Sequence, residues 1–368
     1  MRILALEPFY DGSHRAFLDG WQSRSRHEWT VLGLPGYKWK WRMRHAAITF
    51  AEDVNQRLSN GEQWDVLFCS DMLNLAEFLG LVDPCLKKLP RVTYFHENQL
   101  TYPARHQQER DLQFALTNFT TALAATEVWF NSKFHQDSFL TGIRDFLRRM
   151  PDYQPVNLID TIEAKSSVHC PGVDSFDPCG PRKPGPLRIL WAARWEYDKS
   201  PESFFRAIEL LDKRDANFRL SVIGPQFQQV PPVFEEARDL FSDVIDRWGY
   251  QQDRADYEAA LMESDVFVST AEHEFFGISA VEAIAAGAYP LLPNRLAYPE
   301  LIDCDDPDEF FYDGSPSALA ECLTTLAQRA ASDNDIWQSQ PDRARRSVGR
   351  FQWDEVTTGL DDAIEKVK

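Results

Sequence analysis

The chain has 368 residues, of which 43% are hydrophobic and 26% charged. That is enough for two domains with sizeable cores, and it excludes a disordered chain. A net charge of −18 argues against a protein that coats nucleic acid indiscriminately. The charge is uneven: residues 1–180 carry 19 Lys/Arg against 22 Asp/Glu, and the remainder 20 against 35. A polyanion would therefore meet less repulsion at the N-terminal half. No apolar run approaches the roughly 18–20 residues that span a bilayer, so no membrane association is expected. Four apolar residues from Ile3 to Leu6 meet Glu7, which reads as a buried strand and is too short for a signal-peptide core. Cys69, Cys85, Cys170, Cys179, Cys304 and Cys322 form no C-x-x-C pair and meet no His at zinc spacing. Reduced, packed thiols in the cytoplasm are expected.

In chain order, short apolar runs alternate with longer helical patterns. Strands are predicted at Arg2–Leu6, Trp29–Leu34, Val66–Ser70, Val92–Phe95, Glu127–Asn131 and Ser167–His169, with helices at Leu112–Ala125 and Ser132–Leu147. Residues 176–186 hold four prolines and two glycines, so they can be neither helix nor central strand and form the expected linker between domains 1–175 and 187–350. The alternation then restarts. Strands are predicted at Leu187–Ala192, Phe218–Ile223, Val244–Arg247, Val266–Ser269 and Tyr289–Leu292, and helices at Pro201–Lys213, Asp253–Glu263 and Gly277–Ala286. Residues 351–368, with Phe351 and Trp353 as anchors and Leu360, Ala363, Ile364 and Val367 at helical spacing, read as a helix that returns to the first domain. Two successive βα arrays imply an α/β protein of two doubly wound, Rossmann-like sheets, with ligands beyond the carboxyl ends of the strands in a cleft between them.

Four strings carry chemistry. The strongest runs from Glu274 through Phe276-Gly277-Ile278 and Glu282 to Gly287 and Pro290. A loop there leaves a strand and opens a helix, whose first amides suit a phosphate or sugar hydroxyls. Glu282, one turn and a half into the helix, could accept both hydroxyls of a ribose. Arg194 and Lys199 follow strand Leu187–Ala192 and could neutralise a departing diphosphate. His96 ends strand Val92–Phe95, with Asn98 and Gln99 behind it as candidates to orient sugar or acceptor. The turn Glu7–His14 follows the first strand, with Ser13 as a candidate helix N-cap. No D-x-D element stands on a loop after a strand, so the motifs require no metal or other cofactor. Between Tyr37 and Arg44 the residues alternate. Tyr37, Trp39, Trp41 and Met43 would lie on one face of an extended segment, and Lys38, Lys40, Arg42 and Arg44 on the other. Such a stripe could bind phosphates and stack on an unpaired base, although a mobile basic loop or a strand with core tryptophans has the same pattern.

The string from Glu274 to Pro290 resembles the signature of the GT4 family of retaining glycosyltransferases, and the resemblance covers both domains. It implies the GT-B architecture and a nucleotide-sugar donor. It further implies that Glu274 contacts the donor sugar, Phe276 and Gly277 offer amides with Ile278 beside them, and Glu282 binds the ribose. Arg194 and Lys199 match the family's pyrophosphate-holding R-x-x-x-x-K element, and Gly249-Tyr250 matches a turn that meets the base. His96 matches a His over the sugar, near the reacting carbon. Where the family has a Gly-Gly pair after the first strand, this sequence has Gly12-Ser13-His14, which weakens phosphate contacts there and suggests a different acceptor. The strings Glu7–His14, Tyr37–Arg44, His96–Pro103 and Glu272–Gly277 are similar to the tRNA-queuosine mannosyltransferase branch. That similarity implies GDP-mannose as donor and the cyclopentenediol of queuosine in a tRNA anticodon loop as acceptor. His14, Asn98, Gln99 and the Tyr37–Arg44 stripe would lie on the acceptor side. A GT4 enzyme acting on a lipid or small glycan shares every donor residue. A nucleotide-sugar epimerase and a non-enzymatic binding protein are further alternatives. Nothing in the sequence calls for an obligate protein partner.

Overall fold

A computed structural model describes residues 1–101, 112–176, 182–227, 229–303, 309–332, 334–338, 340 and 343–368. The chain divides into two compact units, Met1–Gly172 with Trp353–Lys368, and Val173–Gln352. Residues 177–181 of the expected linker and residues 102 and 103 of the string after His96 lie outside the described residues.

In the first unit, β1 (Arg2–Tyr10), β2 (Glu28–Pro35), β3 (Val66–Ser70), β4 (Arg91–Phe95), β5 (Glu127–Phe130) and β6 (Ser166–Val168) form a parallel sheet in the order β2-β1-β3-β4-β5-β6. Its helices are α1 (Gly12–Gln22), α2 (Trp39–Ser59), α3 (Leu75–Leu81), α4 (Leu112–Ala124), α5 (Lys133–Arg148) and α6 (Leu158–Glu163). Alternation along the strands serves two buried faces. Ile3, Ala5, Val66, Phe68, Tyr94 and Trp129 pack with Phe17 and Trp21 of α1, while Leu4, Leu6, Leu67, Phe95 and Phe130 meet α2 to α5 on the other side. The sheet changes direction of winding between β1 and β3, which is where doubly wound sheets bind ligands.

The second unit repeats the plan. The strands β7 (Leu187–Ala192), β8 (Phe218–Ile223), β9 (Ile245–Gly249), β10 (Val266–Val268), β11 (Tyr289–Pro293) and β12 (Phe311–Tyr312) lie in the order β12-β11-β10-β7-β8-β9. The helices are α7 (Pro201–Asp212), α8 (Val233–Leu240), α9 (Arg254–Glu263), α10 (Ile278–Ala285), α11 (Pro316–Ser332) and α12 (Arg343–Val348). Here the switch point lies between β7 and β10.

The last helix, α13 (Trp353–Ile364), belongs to the first unit. Trp353, Leu360 and Ile364 join the face built by α1. The indole of Trp353 lies where any side chain at Gly20 or Gly172 would have to go, so both positions must be glycine for the helix to dock. Phe351, expected to anchor this helix, instead packs edge-on against Phe276 in the second unit, with ring centroids 5.2 Å apart.

The extended reading of Tyr37–Arg44 is also corrected. Strand β2 ends at Pro35, Lys38 takes a left-handed φ of 51°, and α2 begins at Trp39. Eight residues were too few to fix a period. Over the longer window Met43, Ala46, Ala47, Phe50, Ala51 and Val54 are buried, at the i, i+3, i+4 and i+7 spacing of a helix.

Candidate active site

In the second unit the site is built on loops at the carboxyl ends of β7 and β10. The loop after β7 carries Arg194 and Lys199; the loop after β10 carries His273 and Glu274. Backbone and side chain tie the two together: the amide of Glu272 donates to the Asp198 carbonyl at 2.8 Å, and Thr270 Oγ1 donates to the Lys199 carbonyl at 2.8 Å. Lys199 is buried, and its Nζ donates to the His273 carbonyl at 2.7 Å and to Glu274 Oε2 at 3.2 Å, with Asp198 Oδ2 also at 3.2 Å. Arg194 is more open, with Glu196 at 3.3 Å and Asp198 at 3.7 Å. Burial alone would push the Glu274 carboxyl up. The Lys199 ammonium and then the Arg194 guanidinium outweigh it and hold the group below the ordinary carboxylate range. Burial, and then the charge of Lys199, bring His273 down to about 4. The result is a compact mixed-charge cluster whose cations can turn toward an incoming diphosphate.

Helix α10 opens directly behind this cluster. Gly277 has φ +96°, a left-handed conformation that costs any other residue, and a Cβ there would crowd the Tyr298 ring at 3.0 Å. The first hydrogen bond back to Gly277 comes from the Ala280 amide, which leaves the amides of Ile278 and Ser279 ahead of the ladder. Glu282 is buried. Its Oε1 accepts from Arg254 at 2.9 Å and its Oε2 from Tyr257 at 2.6 Å. Burial raises its carboxyl, and Arg254 offsets only part of that. Gly249 ends β9 with φ +87°, and Tyr250 beside it is exposed. Sequence reading missed Arg254 and Tyr257. Their partner Glu282 lies 28 and 25 residues downstream, beyond the reach of any local pattern.

In the first unit the predicted residues divide. Asp11, not Ser13, caps α1: its carboxylate accepts from the Gly12 amide at 2.8 Å, and Ser13 is an exposed residue inside the first turn. Gly12 itself takes φ +50°. His14 is buried, with Nδ1 3.2 Å from Glu7 Oε1. The His14 and His96 rings stand 4.0 Å apart. The His96 amide donates to Oδ1 of the fully buried Asp71 at 3.0 Å. Burial pulls His14 down, but Glu7, Asp71 and Glu97 more than reverse this and lift it to about 9. Burial and the neighbouring His14 hold His96 well below its ordinary value, and burial lifts Asp71 to about 8. Asn98 Oδ1 accepts from the amides of Leu100 and Thr101, which shapes the loop, while its buried Nδ2 makes no hydrogen bond. Gln99 Nε2 donates to Glu97 at 3.1 Å.

The helical start of α2 breaks up the expected stripe. Trp39 packs on Phe114 at 5.2 Å and lies half-buried against a small cluster with Met43 and Met72. Arg42 donates to the Pro35 carbonyl at 3.0 Å and fastens the turn. Tyr37 and Trp41 are exposed, as are Lys38, Lys40 and Arg44, and Lys38 lies over the Tyr37 ring.

Comparison with known proteins accords with this geometry. Residues 2–173 match the family model of the tRNA-queuosine alpha-mannosyltransferase N-terminal domain, and residues 156–295 match a model described as family 4 glycosyltransferase in conflict systems. A tRNA-queuosine alpha-mannosyltransferase of Drosophila melanogaster is 34% identical over 336 residues, 87% of this chain and 85% of that one. A GDP-mannose:cellobiosyl-diphosphopolyprenol alpha-mannosyltransferase of Xanthomonas oryzae pv. oryzae is 25% identical over 46% of this chain and 44% of its own. Among solved structures, Anabaena HepE in complex with UDP superposes with a TM-score of 0.69 at 12% identity, covering 99% of this chain and 100% of that one. Two Rossmann-like units with this signature define a GT-B glycosyltransferase of family GT4. Within that class, the chain belongs to the tRNA-queuosine alpha-mannosyltransferase family. Among the described residues, no helix is long and apolar enough to cross a membrane.

Proposed function

We propose that this chain transfers mannose from GDP-mannose, with retention, to the cyclopentenediol of queuosine in a tRNA anticodon loop, and that it works in the cytoplasm. The observation that carries the reading is the 34% identity to a tRNA-queuosine alpha-mannosyltransferase, sustained over 87% of the chain and so over both units.

The donor lies on the second unit. Glu282 takes the ribose hydroxyls while Arg254 and Tyr257 hold its carboxylate in place. Gly249 and Tyr250 meet the base, and Glu274 takes sugar hydroxyls. Arg194, Lys199 and the amides at Gly277 and Ile278 stabilise the diphosphate as negative charge develops on it. The bond from the anomeric carbon to the β-phosphate oxygen breaks as the bond to the acceptor oxygen forms on the same face. The departing phosphate oxygen takes the acceptor's proton. No side chain need act as nucleophile. On the first unit, the family resemblance assigns His96 to the sugar, Gly12 and Ser13 to the donor, and His14 to the acceptor. Exposed Tyr37, Lys38, Lys40, Trp41 and Arg44 contact the anticodon arm.

The test is transfer of labelled mannose from GDP-mannose to bulk tRNA drawn from queuosine-replete and queuosine-free sources. Label in the replete tRNA alone is the expected result. Label in neither, with transfer to a lipid extract instead, would overturn the reading in favour of a lipid acceptor.

A further inference from the structure

We propose that Glu7, His14 and His96 form a binding site for one divalent transition-metal ion in the first unit. Three separate elements deliver the ligands: β1 carries Glu7, the first turn of α1 carries His14, and the end of β4 leads into His96. One ligand atom from each residue can be chosen so that all three lie within 4.8 Å of one another. Glu7 Oε1 lies 3.2 Å from His14 Nδ1; its lone pairs are taken by the Phe9 amide and the Ser70 hydroxyl, so the second carboxylate oxygen is the one left to meet an ion. Neighbouring ligands about 2.1 Å from a zinc-like centre stand roughly 3.0–3.4 Å apart.

The surroundings support the same reading. His96 Nε2 is a buried atom that makes no hydrogen bond, and Oδ2 of the fully buried Asp71 makes none either. A simple structural cluster would satisfy such groups. Glu7 is held before any ligand arrives: its Oε1 accepts from the Phe9 amide at 2.9 Å and from Ser70 Oγ at 2.9 Å. His96 is fixed through its amide on Asp71. Supporting bonds of this kind orient the ligands in metal sites.

Two imidazoles and one carboxylate suit Zn²⁺, Mn²⁺ or Co²⁺ and not the all-oxygen preference of Mg²⁺ or Ca²⁺. Three protein ligands leave a position for a water or hydroxyl oxygen, as in catalytic sites. If the acceptor reading above holds, an acceptor hydroxyl is the natural occupant, and its proton would leave more easily. The absence of a D-x-D element says nothing about this site, whose ligands come from elsewhere in the fold.

The test uses the full chain alone, without nucleotide sugar or RNA, so its outcome is independent of the transfer assay. Chelator-treated protein is titrated with ZnCl₂ and MnCl₂ by calorimetry, and with CoCl₂ by visible absorption. One site per chain is expected, with a Co²⁺ spectrum of low coordination number. Glu7→Gln and His14→Ala should each weaken binding by at least about tenfold, whereas His27→Ala, next to Asp361 and Glu365 of the last helical segment, should leave it unchanged. Glu7→Gln preserves shape, and circular dichroism reports whether His14→Ala folds. The proposal is overturned if wild type binds none of these ions, or if the site persists in either Glu7→Gln or a folded His14→Ala.

Discussion

A carboxylate that already holds two donors can still accept a ribose, because each oxygen carries a second lone pair. Glu282 is in that position, with Arg254 on one oxygen and Tyr257 on the other. Glu282→Gln should lower affinity for GDP by tenfold or more, since charge-assisted bonds contribute about 1.5–3 kcal/mol each. Tyr257→Phe should cost less. Calorimetric titration of GDP decides it, and unchanged affinity in Glu282→Gln would remove the ribose role. Arg194 is open enough to replace without emptying the core. Arg194→Ala should reduce kcat by about 10²–10³ at saturating donor, and an effect confined to KM would deny it a role at the transition state. His273 supplies a pH test. Its value falls from 6.5 to about 4 on folding, so its contribution to stability is complete above pH 6.5 and is lost as pH drops toward 4. Relative to His273→Gln, the wild-type chain should therefore lose about 2 kcal/mol of stability between pH 7 and pH 5. Denaturant titrations at the two values measure it, and a pH-independent difference would show that the imidazole is not buried neutral.

At the scale of elements, α13 depends on one buried carboxylate. Asp361 accepts from the Trp21 indole at 2.7 Å, from Ser25 Oγ at 2.7 Å and from the Arg26 amide at 2.9 Å. Asp361→Ala leaves a buried indole N–H with no acceptor, a cost of about 1–3 kcal/mol for that group alone, and should lower the thermal midpoint of the first unit. Removal of residues 353–368 should be more damaging, since it also strips Trp353, Leu360 and Ile364 from the core. An unaltered melting curve in either variant would contradict this. The sequence made such elements legible where one period ran long enough. Leu360, Ala363, Ile364 and Val367 announced a helix, and runs such as Val66–Ser70 announced buried strands. The start of α2 is not legible in the same way, because Tyr37–Arg44 fits a period of two as well as it fits the rim of a helix, and only Met43 through Val54 separates the two. The donor string was legible for a different reason. Its glycine, its helix start and its Glu lie within nine residues, whereas Glu7, His14 and His96 come from β1, α1 and the end of β4, which only the fold brings together.

For the whole molecule, charge limits how an RNA can be held. The chain carries −18 overall, and residues 181–368 hold 20 basic against 35 acidic residues, so the bulk of a tRNA would face repulsion along most of the protein. Favourable contact is restricted to small basic regions, of which the exposed Lys38, Lys40 and Arg44 beside Tyr37 and Trp41 are one. Phosphate contacts release counterions, so each lost contact to a single strand should reduce the salt slope by about 0.7. Replacing Lys38, Lys40 and Arg44 with Ala should thus flatten the slope by about 2 and leave GDP binding intact. Arg42→Ala should change stability instead, because its guanidinium fastens the Pro35 turn. Charge also limits the size of the substrate that fits. A queuosine-containing anticodon stem-loop lacks the acceptor and elbow phosphates that an acidic surface repels, and it keeps the loop that aromatic side chains can stack upon. Its kcat/KM should match that of full-length tRNA within ~1 kcal/mol, about fivefold. A stem-loop tens of times poorer, at a salt slope well below that of the full tRNA, would mean that cationic contacts reach beyond the anticodon arm and that the Lys38–Arg44 region is only a fraction of the RNA surface.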